Sequence, residues 1–300
     1  MQPAFRRVAL IGKKAPEIAS SLRSLRAFLH DRGCEVMIER ETAESVGDGG
    51  TAADYEAIGR SADIAIVLGG DGTMLAAARN LVRHKTPLAG INQGRLGFMT
   101  DIALNDMRAS VGAILEGRHA IEERSLLDAE ILRRNAASGG EQVVLRTLAL
   151  NEAVVGKGSQ GRLIEFEVRI DGEYVYRLRA DGMIVATPTG STAYSLSAHG
   201  PILHPAVPAF ALVPLNPHVL SARPVSVSER SVIELALLRA LDARAHFDGF
   251  ALTDMHEGDR LVLKRSADSI RFVHAPGYSY FMMLREKLRW SEAAEMQTDD

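Results

Sequence analysis

Short apolar segments alternate with amphipathic segments over the first 120 residues of this 300-residue chain. Val8 to Ile11 has the pattern of a buried strand, and the apolar residues between Pro16 and Arg32 recur at helical spacing. Ala62 to Leu68 is a further predicted strand, and Met74 to Arg83 is a further predicted helix. Strands that alternate with helices form βαβ units around a parallel sheet. We therefore predict an α/β domain of the Rossmann-like type over residues 1–122.

The pattern changes near Glu122, where helices give way to short strand candidates separated by turn signals. Closely spaced strands with few helices are typical of a β-rich domain, which we place over residues 123–275. Residues 276–300 form a C-terminal segment with a helix over Phe281 to Trp290 and an acidic tail, and we expect it to pack back on the N-terminal domain. The polar stretch from Thr42 to Thr51 is predicted to be a surface loop.

Composition and charge exclude several classes of function. The chain carries 35 Lys and Arg against 38 Asp and Glu, a net charge of −3, whereas a nucleic-acid-binding surface normally shows a basic excess. No apolar stretch of the sequence approaches the ~20 residues of a membrane helix. Val8 to Ile11 is too short for the core of a signal peptide, and the single cysteine, Cys34, fits a reducing compartment. We therefore expect a cytoplasmic protein that binds neither nucleic acid nor a membrane.

The segment Gly69 to Thr73, with the sequence Gly-Gly-Asp-Gly-Thr, lies between a predicted strand and a predicted helix. Glycines allow a sharp turn and a close approach to a ligand, and the N-terminus of the following helix favours a phosphate. The carboxylate of Asp71 would repel that phosphate unless it binds a metal or takes a proton from an attacking hydroxyl. Asp71 could equally be a simple helix cap, and the segment alone leaves both interpretations open.

Two further segments carry polar groups that suit a nucleotide. Asp181 to Ser197 leads from an apolar strand into a cluster of hydroxyls and a short helix, which could hold a phosphate or a ribose or could be an ordinary capped turn. Asn151 and Glu152 follow a predicted strand, and an amide beside a carboxylate suits paired ribose hydroxyls, although such a pair is usually solvated. The nine histidines lack the paired spacing of a metal site, so we predict no metal-ligating residues.

Taken in order along the chain, these segments resemble the NAD kinase family. The resemblance runs from about Val8 to Trp290. Its specific part is the run Thr-Pro-Thr-Gly-Ser-Thr-Ala-Tyr-Ser over Thr187 to Ser195, because Gly-Gly-Asp-Gly-Thr is shared with diacylglycerol, sphingosine and phosphofructokinase-like kinases. Further matching segments are Gly90 to Phe98, Pro217 to Pro224 and Pro276 to Phe281.

The resemblance implies an enzyme that transfers the terminal phosphoryl group of ATP, or of polyphosphate, to the adenosine 2′-hydroxyl of NAD and so gives NADP. It also implies a divalent metal, Mg²⁺, that bridges the donor phosphates. NAD and ATP would be the small-molecule partners, and the resemblance further implies a homodimer or a homotetramer.

The same resemblance implies roles for individual residues. Asp71 would orient or deprotonate the acceptor hydroxyl. The other residues that match the family's dinucleotide site are Gly72, Asn151, Glu152, Arg162, Arg179, Asp181, Thr192, Ala193, Tyr194, Ser195, Leu196 and Ser197. Two positions depart from the family pattern: Phe250 stands where many members carry an amide that contacts the dinucleotide, and His199 stands where many carry glycine.

Two other functions stay open on the sequence. A lipid or sugar kinase of the same superfamily would share the Asp71 segment, although no membrane-docking segment supports a lipid substrate. A non-catalytic NAD(H)-binding regulator would bind the dinucleotide without forming NADP. Asp71, Asn151 and Glu152, all present in the chain, argue against the regulator.

Overall fold

The computed structural model describes residues 3–13, 15–47, 52–94, 96–135, 139–159 and 161–290. The chain divides into two compact units: the first comprises Met1–Glu123 and Ile270–Asp300, and the second comprises Arg124–Ser269. The first unit is α/β and the second is β-rich, which confirms the predicted fold class. The acidic tail, residues 291–300, lies outside the described residues.

The first unit is built on a parallel sheet. Its elements up to residue 115 are β1 (Arg7–Gly12), α1 (Ala19–Asp31), β2 (Glu35–Glu39), α2 (Arg40–Val46), β3 (Ala52–Ala53), α3 (Tyr55–Ser61), β4 (Ile64–Leu68), α4 (Asp71–Leu81), β5 (Leu88–Asn92), β6 (Ile102–Ala103) and α5 (Met107–Leu115). The strand order is β5-β4-β1-β2-β3, with every neighbouring pair parallel and β6 paired to β5. Short 3₁₀ turns occupy Pro16–Ile18, Val82–His84 and Leu104–Asp106.

The strands β4 and β5 place the Gly69 to Thr73 segment. Both strands are buried at every position, because helices cover both faces of a parallel sheet, and their sequences are accordingly apolar. They pair in register from Ala65 opposite Leu88 to Leu68 opposite Ile91. The segment therefore begins at the carboxyl edge of the sheet, where ligands of parallel sheets bind.

The prediction of a loop over Thr42 to Thr51 is wrong in its first half, since α2 extends to Val46. The carboxylate of Glu39 caps this helix by accepting hydrogen bonds from the backbone amides of Glu41 and Thr42. A helix of seven residues spans only two turns, so it shows too little apolar periodicity to be recognised. Residues 48–51 lie outside the described part of the chain.

The second unit consists of antiparallel strands. The first of its elements begins in the first unit, and the last one ends there. The elements are β7 (Ala120–Arg134), β8 (Glu141–Ala149), β9 (Glu152–Lys157), β10 (Ile164–Ile170), β11 (Glu173–Ala180), β12 (Gly182–Ala186), α6 (Tyr194–Ser197), β13 (Ala209–Leu215), β14 (Val225–Ser228), β15 (Ile233–Arg239), β16 (Ala243–Phe247), β17 (Ala251–Met255) and β18 (Arg260–His274). One sheet has the order β14-β13-β12-β9-β16-β17. The other contains the run β11-β10-β15-β18, and β7 pairs with β18 and β8.

The two sheets of the second unit bury one apolar core between them. Phe166 on β10, Phe210 on β13 and Phe247 on β16 all belong to this core and are at most 1% exposed. Alternate residues of β10 are buried, as expected for a strand with one face toward a core. The sequence analysis did not identify β13, β14 and β17, of which β14 and β17 are the edge strands of their sheet.

The C-terminal residues of the first unit complete its sheet. Phe272, near the end of β18, pairs in parallel with Leu88 of β5. Helix α7 (Tyr280–Leu288) follows, and the Ser279 hydroxyl caps it by accepting a hydrogen bond from the backbone amide of Met282. Within the described ranges, no helix has both the length and the apolar character needed to cross a bilayer.

We expect Phe166→Ala to lower the free energy of unfolding by about 3–5 kcal/mol, because the ring fills the core between the sheets. Tyr174→Ala is a matched control on the neighbouring strand β11, where the ring is 53% exposed, and it should cost under about 1 kcal/mol. Urea unfolding monitored by circular dichroism measures both values. Equal losses for the two variants would contradict this core.

Candidate functional site

The carboxylate of Asp71 is held by the segment that follows β5. Asp71 is the first residue of α4, and its Oδ2 accepts a hydrogen bond from Phe98 N at 2.9 Å. Its Oδ1 accepts from Met99 N at 3.0 Å and from the Thr100 hydroxyl at 3.2 Å. The Thr100 oxygen in turn accepts from Asn92 Nδ2 at 2.8 Å. Both carboxylate oxygens are thus fixed, and the helix dipole favours their negative charge.

Glycines let this segment approach Asp71 closely. A Cβ on Gly97 would lie 2.0 Å from Asp71 Oδ1, and a Cβ on Gly90 would lie 2.6 Å from the carbonyl oxygen of Met99. By contrast, a Cβ on Gly70 or Gly72 would meet no heavy atom within 4 Å. The turn before α4 is therefore packed on the side of Gly97 and open on the side of Gly72, where a ligand could approach.

In the second unit, Asp248 organises the start of β9. Its Oδ2 accepts a hydrogen bond from Leu150 N at 2.8 Å, and its Oδ1 accepts from Asn151 N at 2.7 Å and Glu152 N at 3.1 Å. The backbone amide of Asp248 donates to the Glu152 carbonyl at 3.0 Å. The side chain is 7% exposed, and its φ of 53° lies in the left-handed region, which aspartate tolerates. The sequence analysis missed this residue, whose only local signal is the turn pair Asp248-Gly249.

The side chains of Asn151 and Glu152 present acceptors that the fold leaves unused. Glu152 is 8% exposed, and neither its Oε2 nor the Oδ1 of Asn151 has a hydrogen-bond partner within the described part of the chain. Burial, and then the negative charge of Asp248, raise the pKa of Glu152 to about 7. Buried acceptors without donors cost free energy. Two of them on adjacent residues suit a ligand that supplies hydroxyl donors.

The turn after β12 packs against the same segment. The Thr187 hydroxyl donates to the carbonyl of Leu150, and the Thr187 amide donates to the carbonyl of Asn151 at 2.9 Å. A Cβ on Gly190 would lie 2.0 Å from that Asn151 oxygen, so only glycine fits there. Arg124, which is 3% exposed, donates to Thr189 Oγ1 at 3.1 Å.

Several hydroxyls of this turn serve the fold itself. Ser191 Oγ donates to the Pro188 carbonyl at 2.6 Å and accepts from Leu203 N at 3.0 Å. Thr192 Oγ1 donates to the Thr189 carbonyl at 3.1 Å. These hydroxyls behave as ordinary turn and cap groups, which is one of the two interpretations that the sequence left open.

The residues from Tyr194 to Ser197 form the four-residue helix α6 after a 3₁₀ turn over Gly190–Thr192. Tyr194 is 47% exposed, and both Tyr194 and Ser197 line a pocket of about 430 Å³ together with Asn216. Ser195 is fully buried, and its hydroxyl has no hydrogen-bond partner among the described residues. The tyrosine ring and the Ser197 side chain are thus accessible, whereas Ser195 is not.

Asp181 lies beside that pocket and is already paired. Its Oδ1 contacts Lys157 Nζ at 2.6 Å, and its Oδ2 accepts from Asn216 Nδ2 at 2.9 Å. The hydrogen bonds from Asn216 and Lys157 hold the pKa of the Asp181 carboxyl below its usual value. Asp181 therefore stays charged and fixes both Lys157 and the amide of Asn216, and Asn216 lines the pocket.

Arg162 and Arg179 line a different groove of the second unit. This groove has a volume of about 490 Å³, and Arg177 and Arg239 line it too. Glu165 lies opposite Arg179 and Arg239 in register and pairs with Arg177 Nε at 2.6 Å. Glu257 lines the groove too, so four guanidinium groups face two carboxylates, and the remaining excess of positive charge favours an anion.

The two departures from the family pattern are both on the surface. Phe250 is 56% exposed. His199 is exposed and has a φ of 61°, a conformation that glycine adopts without strain. Over the described ranges, no group of three or more His, Cys, Asp or Glu side chains is arranged to hold a metal ion.

Comparison with known proteins matches two family models to the chain. The model described as the ATP-NAD kinase N-terminal domain matches residues 8–119, and the model described as the ATP-NAD kinase C-terminal domain matches residues 150–275. The NAD kinase of Aromatoleum aromaticum is 56% identical to this chain over 294 residues, which cover 97% of this chain and 96% of that protein. The NAD kinase of Burkholderia pseudomallei is 44% identical over 298 residues, 99% of this chain and 97% of that protein.

Solved structures of an NADH kinase and of an NAD kinase are also similar to this chain. The crystal structure of yeast NADH kinase complexed with NADH superposes with a TM-score of 0.85 at 25% identity and covers 97% of this chain and 89% of that one. The structure of an NAD kinase from Archaeoglobus fulgidus in complex with ATP superposes with a TM-score of 0.74 at 26% identity, over 94% and 98% of the two chains.

We expect Gly97→Ala to lower the free energy of unfolding by about 1–3 kcal/mol, because its Cβ would displace the Asp71 carboxylate. Gly94→Ala is a matched control in the same segment, since its Cβ would meet no heavy atom within 4 Å. Urea unfolding measures both. If Gly97→Ala is as stable as Gly94→Ala, the packing of this segment on Asp71 is wrong.

We expect Glu152→Gln to stabilise the protein in a pH-dependent way. Because the folded protein holds the Glu152 proton more tightly than the unfolded chain does, the wild type loses stability as pH rises from 4.5 towards about 7. Glutamine stays neutral, so the variant should gain about 2 kcal/mol more free energy of unfolding at pH 8 than at pH 5. Unfolding curves at the two pH values measure this gain. Glu173→Gln, on an exposed side chain, should show no such difference, and an equal gain in both variants would refute the assignment.

Proposed function

The chain belongs to the NAD kinase family, and we propose that it transfers the terminal phosphoryl group of ATP to the adenosine 2′-hydroxyl of NAD and so forms NADP. The observation that carries this proposal is its likeness to NAD kinases, from 56% identity over 97% of its length to 44% identity over 99% of its length for the two relatives named above. The likeness extends over nearly the whole chain, so it includes both the Asp71 segment of the first unit and the polar residues next to β9 and β12 in the second unit. A short shared motif would include only one of these segments.

Asp71 would act at the acceptor hydroxyl, which it orients or deprotonates. A ribose hydroxyl is a weak nucleophile, and phosphoryl transfer depends mainly on placing it in line with the phosphorus atom. The fixed carboxylate of Asp71 and the open side of the turn at Gly72 support this role. The hydrogen bonds to Phe98 and Met99 would keep the carboxylate oriented during the reaction.

The second unit would hold the dinucleotide. The unpartnered oxygens of Asn151 and Glu152 suit ribose hydroxyls, and the exposed ring of Tyr194 suits stacking on a base. Arg162 and Arg179 would attract phosphate groups through the positive groove that they line. The other residues proposed at this site are Asp181, Thr192, Ala193, Ser195, Leu196 and Ser197. The internal hydrogen bond of Thr192 and the burial of Ser195 favour a backbone or packing role for these two.

We propose Mg²⁺ as the metal that accompanies ATP. Mg²⁺ keeps much of its water and usually takes only one or two carboxylates besides the phosphates of its nucleotide. The donor set of the described residues, with no group of three acidic, His or Cys side chains, fits an ion carried on the phosphates. When bound, the ion would neutralise negative charge on the donor phosphates. Use of polyphosphate as donor, a homodimer or homotetramer and a cytoplasmic location stay predictions.

The rival functions differ in the acceptor. A lipid or sugar kinase would phosphorylate diacylglycerol or fructose 6-phosphate in preference to NAD. A non-catalytic regulator would bind NAD in a calorimeter and form no NADP. A coupled assay of NADP formation, with ATP and polyphosphate as donors in parallel and with and without Mg²⁺, separates these possibilities. Absence of NADP under every condition would remove the proposed function.

We expect Asp71→Asn to lower kcat for NADP formation by at least about 10²-fold, because the variant loses the charge that orients the hydroxyl. The Kd for NAD, measured by calorimetry, should change by no more than about threefold, since the second unit holds the dinucleotide. Asp106→Asn, on an exposed aspartate whose side chain makes no capping hydrogen bond, should keep full activity. Full activity in Asp71→Asn would remove Asp71 from its role.

A further inference from the structure

The proposed function assigns Asp71 to the acceptor hydroxyl but does not say which of its two oxygens meets that hydroxyl. A carboxylate has about four lone-pair positions, about two on each oxygen. Oδ1 accepts two hydrogen bonds, from Met99 N and from the Thr100 hydroxyl, whereas Oδ2 accepts one, from Phe98 N. The hydrogen bonds of the described residues therefore fill Oδ1 and leave one position of Oδ2 unused.

The packing around Asp71 closes off the same oxygen. A Cβ on Gly97 would overlap both Asp71 Oδ1 and Thr100 Oγ1, so the backbone of Gly97 lies directly against this pair of atoms. The Gly97 amide donates to the Thr100 carbonyl at 3.0 Å, which closes the turn that carries the three donors. Oδ1 is thus fully used by the fold, and the oxygen that can still accept a hydrogen bond from a ligand is Oδ2.

The direction of the Thr100 hydrogen bond is fixed by Asn92, the last residue of β5. The side-chain nitrogen of Asn92 can only donate, and it donates to the Thr100 oxygen at 2.8 Å. The Asn92 Oδ1 accepts from Gly94 N at 2.8 Å, which settles the orientation of the amide group. Thr100 is fully buried, and Asn92 is 8% exposed. The Thr100 hydroxyl therefore accepts from Asn92 and directs its own hydrogen to Asp71.

We propose that Thr100 is a positioning residue of the reaction: by donating to Asp71 Oδ1, its hydroxyl leaves Oδ2 as the atom that accepts the hydrogen bond from the ribose 2′-hydroxyl. Asn92 supports this role by holding the Thr100 hydroxyl in its donating orientation. This inference rests on the proposed function. It concerns contacts within the first unit alone, since Asp71, Asn92 and Thr100 all belong to that unit.

The role of Thr100 is to limit the number of orientations of the acceptor hydroxyl. A hydroxyl that meets one defined oxygen has one orientation relative to the phosphorus atom, whereas a carboxylate with a vacant position on each oxygen allows two. A misplacement of about 1 Å can cost about 10²-fold in rate. Loss of the Thr100 hydroxyl would also leave the side-chain nitrogen of Asn92, a buried residue, without its acceptor, which costs stability. The rate of the reaction and the stability of the fold must therefore be measured separately.

The test compares kcat and KM for NADP formation among variants of Thr100. Thr100→Val keeps the shape of the side chain and removes the hydroxyl, so kcat should fall about 10- to 100-fold while the KM for NAD changes by no more than about threefold. Thr100→Ser keeps the hydroxyl, and its kcat should stay within about threefold of the wild-type value. Thr86→Val is the matched control, because Thr86 is 2% exposed in the same unit and its hydroxyl has no hydrogen-bond partner among the described residues. The kcat of this control should equal that of the wild type.

A double variant shows whether Thr100 acts through Asp71. In Asp71→Asn the oriented carboxylate is already absent, so the addition of Thr100→Val should lower the residual kcat by no more than about twofold. A general defect of the fold would lower kcat by the same factor with and without Asp71→Asn. Two results would therefore overturn the proposal: a wild-type kcat in Thr100→Val, or an equal loss of kcat in the two backgrounds.

Circular dichroism and urea unfolding show whether each variant folds. If Thr100→Val does not fold, Thr100→Ala removes the same hydroxyl from a smaller side chain and should show the same loss of kcat, and a wild-type kcat there would equally contradict the proposal. If wild type and Thr86→Val form no NADP, the proposed function fails. If both form NADP and Thr100→Val is as active as they are, only the role of Thr100 fails.

Discussion

Three consecutive backbone amides, those of Leu150, Asn151 and Glu152, donate to the one carboxylate of Asp248. Hydrogen bonds to a charged group contribute about 1.5–3 kcal/mol each, so this cluster fixes the chain where β9 begins. The position of Asn151 and Glu152 follows from it, and so does the packing of Gly190 against the Asn151 carbonyl. Burial, and then the same negative charge, raise the pKa of Glu152. One side chain thus sets the geometry of this part of the site and contributes to its electrostatics.

In the first unit, too, one carboxylate accepts hydrogen bonds from consecutive backbone amides. Asp71 begins α4, and its carboxylate binds the backbone amides of Phe98 and Met99 from a segment 27 and 28 residues further along the chain. In the second unit the corresponding separations are 96 to 98 residues. A carboxylate that accepts hydrogen bonds from the amides of a distant loop holds that loop in addition to the burial of its apolar residues, such as Met99 and Leu150. Both loops lie next to strands and are fixed there by these hydrogen bonds.

The sequence predicted the parts of the fold that local periodicity determines. The strands β1 and β4 and the helix α4 are apolar at the spacing expected of them, and the change to short strands after Glu122 revealed the β-rich unit. Helix α2 and the edge strand β14 were missed because the first is two turns long and the second is largely exposed. A strand whose side chains are mostly exposed carries little of the apolar alternation by which a strand is recognised.

The sequence predicted some residues of the candidate site but not the contacts that hold them in place. The glycines and the strand end pointed to Asp71, but the sequence could not show that Phe98 to Thr100 would hold it. For the hydroxyls after β12 the sequence left both a ligand role and a capped turn open, because a hydroxyl suits either partner, and those of Thr187 and Ser191 bond to backbone carbonyls. For Asp248 the turn pair Asp248-Gly249 was the only local signal, since its hydrogen-bond partners lie almost a hundred residues earlier in the chain.

Glu152 differs from Asp181 and Glu165 of the second unit in its partners and in the direction in which its pKa is shifted. Asp181 is paired with Lys157 and Asn216, and Glu165 is paired with Arg177, so that the pKa of each is lowered and each contributes stability at neutral pH. The Oε2 of Glu152 has no hydrogen-bond partner among the described residues, and burial together with the charge of Asp248 raises the pKa of this carboxyl, which costs stability as pH rises from 4.5 towards about 7. A cation or an amide beside Glu152, like those beside Asp181 and Glu165, would lower the pKa of Glu152 and would occupy its Oε2. A ligand hydroxyl that donated to Oε2 would satisfy this buried acceptor while the ligand is bound, and that hydrogen bond would add to the binding free energy.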